Sequence, residues 1–158
     1  MNADPAVMAY FPSTMTRPES DALLARIELA WERDGHGLWA VASRDDDTWL
    51  GMTGLAAPNF DAAFTPCVEV GWRYPESSWG QGYATEAGRA ALDYGFDVLG
   101  LDEIVSFTTV ANTRSRAVME RLGMTRDPAD DFDHPRLPEG HPIRPHVLYR
   151  LPRARRPA

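Results

Sequence analysis

Apolar residues Leu23, Leu24, Ile27, Ala30 and Trp31 recur at three- and four-residue steps behind Thr16-Arg17-Pro18-Glu19, which predicts a helix that starts at Thr16 and stops at Gly35. Thr16 can accept from the first helical amides, Glu19 can return the bond three residues on, and Pro18 fits the first turn. Leu38 to Ser43 and Thr48 to Leu55 then predict a hairpin closed by Arg44-Asp45-Asp46-Asp47. After a loop from Pro58 to Pro66, the alternation in Cys67-Val68-Glu69-Val70-Gly71-Trp72-Arg73-Tyr74 predicts a strand ended by Pro75. Val68, Val70, Trp72 and Tyr74 fall on one face, and Glu69, Gly71 and Arg73 on the other.

The pattern returns to a helical period from about Ala84 to Leu99, with Ala87, Ala91, Leu92, Gly95, Phe96 and Leu99 as one stripe and Gly100 as the stop. Gly88 and Gly95 each cost a helix interior roughly 1 kcal/mol against Ala, and the pair suggests close packing against a sheet. Glu103 to Val110 reads as a strand, and Asn112 caps a third helix that contains Ala117, Val118 and Leu122 and ends at Gly123. Strand, helix, strand, helix in succession predicts a βαβ unit with two parallel strands. Five prolines between 128 and 145 argue against regular structure there. His146 to Leu151 predicts a last strand, and Pro152 to Ala158 a frayed basic tail. No internal repeat or domain boundary interrupts the 158 residues, which suit one domain.

Composition narrows the class. Sixteen Lys+Arg against 23 Asp+Glu give a net charge of −7, which disfavours non-specific nucleic-acid binding and favours a cationic partner. Hydrophobic residues at 44% and charged residues at 25% are those of a folded globular chain. Cys67 is the only cysteine, so neither a disulfide framework nor a cysteine zinc cluster can form within the chain. No apolar run approaches a membrane span, and Met1 to Tyr10 lacks the marks of a signal peptide. A cytoplasmic location is the default expectation.

The richest stretch is Trp79-Gly80-Gln81-Gly82-Tyr83-Ala84-Thr85-Glu86-Ala87, between a strand and a helix N-terminus. Two glycines allow a tight turn in which consecutive N–H groups converge, and the helix end adds about half a positive charge, so the turn suits a phosphate or pyrophosphate. A dinucleotide fingerprint would need glycine where Thr85 stands, and the ATP/GTP loop would need Gly-Lys-Ser/Thr, which is absent. What remains resembles the acyl-CoA signature Gln/Arg-x-x-Gly-x-Gly/Ala of the GCN5-related N-acetyltransferases. Gly82-Tyr83-Ala84 matches its second half; Trp79 departs from its first residue but matches the Trp-Gly-x-Gly-Tyr-Ala-Thr-Glu-Ala form of the branch similar to ribosomal-protein N-terminal acetyltransferases (RimJ/RimL type). Asn112 to Met124 resembles the Asn-x-x-Ser…Leu-Gly-Phe/Met segment of that family, and Asn2 to Met8 and Glu69-Val70-Gly71-Trp72 are further matches.

The resemblance implies an α/β (α+β) acyl-CoA acyltransferase fold, a mixed and mostly antiparallel sheet splayed at a central parallel pair and flanked by helices. The family's opening strand and most of its first helix usually precede Asn-Ala-Asp-Pro, so the resemblance also implies a single domain truncated at its N-terminus. It implies acetyl-CoA as co-substrate, no metal, and an amine acceptor, most readily a protein or peptide α-amine. Free amino acids, polyamines or aminoglycoside-like drugs are the alternative acceptors, and a non-catalytic acyl-CoA sensor or another phosphate-ligand enzyme the alternative classes. Nucleic acid and membrane are not expected partners, and either a monomer or a homodimer is compatible.

Residue by residue, the resemblance places pantetheine on main-chain groups of Trp72, Arg73 and Tyr74. The pyrophosphate falls on the amides of Gln81, Gly82, Tyr83, Ala84 and Thr85, and Asn112 and Ser115 border the cofactor arm. Glu69 is the candidate base, with pairing to Arg73 as its plainer alternative; Asn112 also reads as a simple helix cap and Ser115 as a first-turn serine. An α-amine of pKa ~8 is about one-tenth neutral at pH 7, whereas a lysine amine of ~10.4 is far less so, and the α-amine needs only a modest base. Where many relatives place a tyrosine acid, this chain has Met119, which leaves Ser115, Tyr149 or solvent to protonate the thiolate. His134, His141 and His146 lie in the proline-rich segment beside Asp130, Asp131 and Asp133 without close His spacing, so an acceptor loop or solvated surface is expected over a metal site. Cys67 is expected to be buried and inert.

Overall fold

The computed structural model describes residues 1–157. Helix α1 (Arg17–Asp34) begins at the expected cap: the Glu19 amide donates to Thr16 Oγ1 at 3.4 Å and the Thr16 amide donates to Glu19 Oε2 at 2.7 Å. Gly35 ends it in the left-handed region. The apolar stripe of α1 does not enter the core, since no residue of the helix is buried and Leu24 and Leu29 are exposed. Its C-terminal end is instead pinned by aromatics. Trp31 and Trp39 rings meet at 5.2 Å, Trp39 and Tyr94 at 5.3 Å, and the Tyr94 hydroxyl donates to Gly35 O at 2.8 Å.

The sheet has seven strands: β1 (Leu38–Ala42), β2 (Trp49–Ala56), β3 (Glu69–Arg73), β4 (Glu103–Thr109), β5 (Thr125–Arg126), β6 (Phe132–Asp133) and β7 (Pro145–Pro152). Their order is β1-β2-β3-β4-β7-β5, with β6 also on β7, and only β3 and β4 run parallel. The hairpin β1–β2 is as expected, with Gly54 where nothing larger fits: a Cβ there would lie 2.2 Å from Gly37 O. Helix α2 (Tyr83–Asp93) carries the crossover from β3 to β4, and α3 (Thr113–Arg121) follows β4. Leu55, Val70, Leu92, Phe96, Ile104, Leu122 and Leu151 form the centre of the core between these helices and one sheet face.

Three expectations change. The helix expected to Leu99 widens into a π turn over Tyr94–Val98, which buries Phe96 fully; a Cβ on Gly95 would lie 2.5 Å from Ile104 Cδ1, so the backbone packs directly on the sheet. The proline-rich stretch holds a 3₁₀ turn (Pro128–Asp130) and β6, because its prolines sit where no ladder amide is needed. The tail is not frayed within the described residues, and Ala158 lies outside them. The Arg153 amide donates to Asp102 O at 2.8 Å, and Arg156 pairs with Asp93 at 2.7 Å and Asp97 at 2.6 Å. Among the described residues no helix is long and apolar enough to cross a membrane.

Candidate active site

Strands β3 and β4 touch through a single pairing, Glu69 with Val105, where the Val105 amide donates to Val68 O at 2.9 Å. Beyond it the two strands part, and a cleft of about 1080 Å³ opens between them. Main-chain direction alternates along a strand, so that bond fixes the rest: Val70, Trp72 and Tyr74 turn their amides and carbonyls toward the gap, and Glu69, Gly71 and Arg73 turn theirs toward β2. Trp72 and Tyr74 therefore present an open strand edge. The Tyr74 carbonyl already accepts from Trp79 Nε1 at 2.9 Å, and the Arg73 main chain faces its β2 partner Met52.

The glycine turn lies at one end of the cleft. Gly80 and Gly82 have φ of 73° and 87°, the left-handed values that a glycine adopts at no steric cost. Gly82 caps α2 without any side-chain bond, and the amides of Gln81, Gly82, Tyr83 and Ala84 have no acceptor among the described residues. The Thr85 amide is committed to Gly82 O at 3.0 Å. Converging amides and the helix end form an anion cradle that backbone alone provides. Gly82, Tyr83, Ala84 and Thr85 line the cleft, whereas the exposed Gln81 side chain does not. Trp79 explains its departure from the family pattern: its indole ties the turn to the end of β3, and the Arg114 guanidinium lies 4.3 Å above its ring.

Asn112 and Ser115 occupy the opposite wall. The Ser115 amide donates to Asn112 Oδ1 at 3.2 Å, so the cap expected from sequence is present. Ser115 Oγ accepts from Trp72 Nε1 at 3.3 Å and from Asn112 Nδ2 at 3.1 Å, which leaves its O–H to donate. Tyr149 does not line the cleft; its hydroxyl donates to Glu120 Oε1 of α3 at 3.0 Å. Met119 is buried at the base of α3.

Paired positions share a sheet face, so Met52 and Ala56, Glu69, Gly71 and Arg73, Phe107, and His146 all project from the side opposite α2. Two segments roof this side, the N-terminal stretch through Val7, Tyr10 and Phe11 and the proline-rich loop through His134, Arg136, Leu137 and Ile143. Among the described residues Glu69 is the only acidic one on the cleft wall, and burial pushes its carboxyl up to about 8 against a smaller opposing effect of the Phe107 backbone. Among the described residues it forms no ion pair with any arginine; Arg73 instead donates from Nη1 to Asn2 Oδ1 at 2.9 Å and lies 4.2 Å over the Phe11 ring.

Three acidic residues of the proline-rich loop are paired elsewhere, Asp130 with Arg150 at 2.6 Å, Asp131 with Arg126, and Asp133 with Arg144 at 3.2 Å, and the fourth, Glu139, does not line the cleft. His134 and His146 rings meet tilted at 5.0 Å among Phe107 and Phe132, and burial lowers both histidines toward the neutral form. No group of three His, Cys, Asp or Glu among the described residues is arranged to hold a metal ion. Cys67 is half-buried, and burial first, then the Glu69 charge, raises its thiol to about 11, so it stays protonated. The aromatic wall and the placement of Arg114 on Trp79 were invisible in the sequence, because each depends on partners far apart along the chain.

Residues 1–125 match the family described as Acetyltransferase (GNAT) domain. The chain is 32% identical over 130 residues to the FsC-acetyl coenzyme A-N(2)-transacetylase of Aspergillus fumigatus, a match that spans 79% of this chain and 55% of that protein's length. Among solved structures, an acetyltransferase from Agrobacterium tumefaciens is 29% identical with a TM-score of 0.72, covering 94% of this chain and 79% of its own. An acetyltransferase of the GNAT family from Bacillus anthracis is 24% identical with a TM-score of 0.76, covering 96% and 84%; it supports the fold alone.

Proposed function

The chain belongs to the acetyltransferase (GNAT) domain family, whose members transfer an acetyl group from acetyl-CoA to an amine, and we propose that its acceptor is the α-amine of a peptide or protein, in the manner of the RimJ/RimL branch. In this reading pantetheine lies along the open edge of Trp72 and Tyr74. The pyrophosphate lies on the amides of Gln81, Gly82, Tyr83 and Ala84. The roofed side of the sheet receives the acceptor.

The observation that carries the reading is Glu69, a lone carboxylate with no guanidinium partner, set where the strands part and held near pH 8. That value sits beside the ~8 of an α-amine, so proton transfer between them is nearly isoenergetic, whereas a lysine amine of ~10.4 would be opposed by about two units. The ammonium proton passes to Glu69, directly or through water. The neutral nitrogen attacks the thioester carbonyl and the C–S bond breaks. The nitrogen sheds its second proton to water, while the sulfur leaves as thiolate and takes a proton from solvent, directly or through Ser115, which water reprotonates. Ser115 is pre-oriented for this by its two N–H donors. A thiol of pKa ~8.5 is a good leaving group, so the acid contributes less than the base.

Thiol release from acetyl-CoA with peptides bearing a free N-terminus, against the same peptides blocked there but carrying lysine, tests the assignment. The α-amine should react faster at pH 7.5, and Glu69→Gln should lower kcat by about 100-fold or more. Preference for the blocked lysine peptides, or an unimpaired Glu69→Gln enzyme, would overturn it. Cofactor binding with no turnover of any amine would favour the sensor reading.

A further inference from the structure

The wall of the cleft sets one carboxylate, Glu69, against four guanidiniums, Arg73, Arg114, Arg121 and Arg136. Arg114 stacks on Trp79 beside the glycine turn, at the cofactor end. Arg73 does not belong to that end. It stands two same-face positions along β3 from Glu69, about 13 Å between Cα atoms at strand rise, with only Gly71 between them on that face. Its guanidinium is largely buried and has no carboxylate partner among the described residues; it rests on Asn2 and the Phe11 ring, and its Nε is buried without any hydrogen bond. Of the buried side-chain nitrogens left without a partner among the described residues, only this one belongs to the cleft wall.

A desolvated guanidinium without a counter-charge is costly, and its fork matches a carboxylate in geometry and charge. Resting on the acetyltransferase reading of the cleft, we propose that the acceptor carries a carboxylate a few bonds from its amine, and that Arg73 receives that carboxylate while the amine faces Glu69. The carboxylate is either the free carboxyl of an amino acid or short peptide, or an acidic side chain near the start of a longer one. The same wall rejects polycations. A second ammonium would meet arginines, because Asp130, Asp131 and Asp133 of the roofing loop are paired away from the cleft and Glu139 does not line it. Phe107 and the neutral His134 and His146 give the rest of the acceptor an aromatic, weakly polar surface.

Matched acceptors that differ in this charge test the proposal, with rates expressed per neutral amine because amidation also lowers the amine pKa. L-phenylalanine is compared with L-phenylalaninamide, and the amidated tripeptide Ala-Asp-Phe with Ala-Asn-Phe; the first pair reports a free carboxyl and the second a side chain. The charged member of at least one pair should show kcat/KM higher by about ten-fold or more, mostly through KM, as expected for a hydrogen-bonded ion pair. Arg73→Gln should bring the members of that pair to within about two-fold of each other, and Arg73→Lys should restore part of the difference. Calorimetry of the CoA-loaded protein with N-acetylphenylalanine and its amide reads the same contrast in affinity without turnover. Absence of turnover would thus count against acetyl transfer, while the affinities would still decide the role of Arg73. Equal affinities and rates within both pairs, preference for spermidine, or a preference that survives Arg73→Gln would overturn the proposal.

Discussion

Glu69 couples stability and activity to pH in opposite directions. Its folded-state pKa is raised from 4.5 to about 8 by burial, so the fold favours the protonated form. The stability this group contributes is complete below about pH 4.5 and is lost as pH rises through 8, where a charge must exist in a desolvated place. With Glu69 as the proposed base, activity needs the charged form and should climb over the same interval. Melting temperatures measured from pH 5 to 9 should therefore fall for the wild type by several degrees more than for Glu69→Gln, while the rate of the wild type rises toward pH 8. A parallel pH course for both proteins would show that Glu69 does not titrate there. Alternation along Cys67–Tyr74 put Glu69 and Arg73 on one face by reading alone, but not that they would fail to pair. That outcome depends on Asn2 and Phe11, about seventy positions away, which reach Arg73 first.

Elements whose ends carry their own signals were legible. Thr16, Glu19 and Gly35 bound α1, Asn112 caps α3, and the hairpin fell where two β-rich runs flank a charged turn. What α1 packs against was not legible, because its apolar stripe meets only a rim of Trp31, Trp39 and Tyr94 rather than the core. Thr16→Ala should cost about 1 kcal/mol locally, read as about five-fold faster hydrogen exchange in the first turn of α1. Its effect on the global melting temperature should be less than about 2 °C, since no residue of the helix is buried. Gly54→Ala is the opposite case. Its Cβ would strike Gly37 O at 2.2 Å and Leu38 Cα at 2.6 Å, backbone atoms that cannot move without shifting β1. We expect a loss of roughly 2 kcal/mol or more in denaturant unfolding, on the scale of overpacked interiors. The π turn and the two-residue strands β5 and β6 left no sequence mark, since each is a local response to packing against a partner strand.

The whole molecule is a sheet opened beyond one residue pair, Glu69 and Val105, with a glycine turn, a strand edge and a roofed face around the resulting cleft. Ligand binding should tie these parts together. CoA at about a hundred times its Kd should raise the melting temperature by roughly 5–10 °C, the linkage expected for about 2.7 kcal/mol. Gly82→Asp should abolish most of that rise, because it brings a carboxylate to the anion cradle and forces an L residue to φ 87°. An undiminished shift in that variant would place the phosphates elsewhere.

The sequence by itself determined the local grammar: capped helices, alternating strands, and the glycine turn ahead of α2 with the family it resembles, because each rests on residues within a few positions of one another. The tertiary structure alone decided where β3 and β4 part, which main-chain groups face the gap, that Glu69 stays unpaired among the described residues, and that arginines and neutral aromatics line the roofed side with it. These follow from contacts between segments distant in the chain, and burial and pairing are properties of the assembled packing.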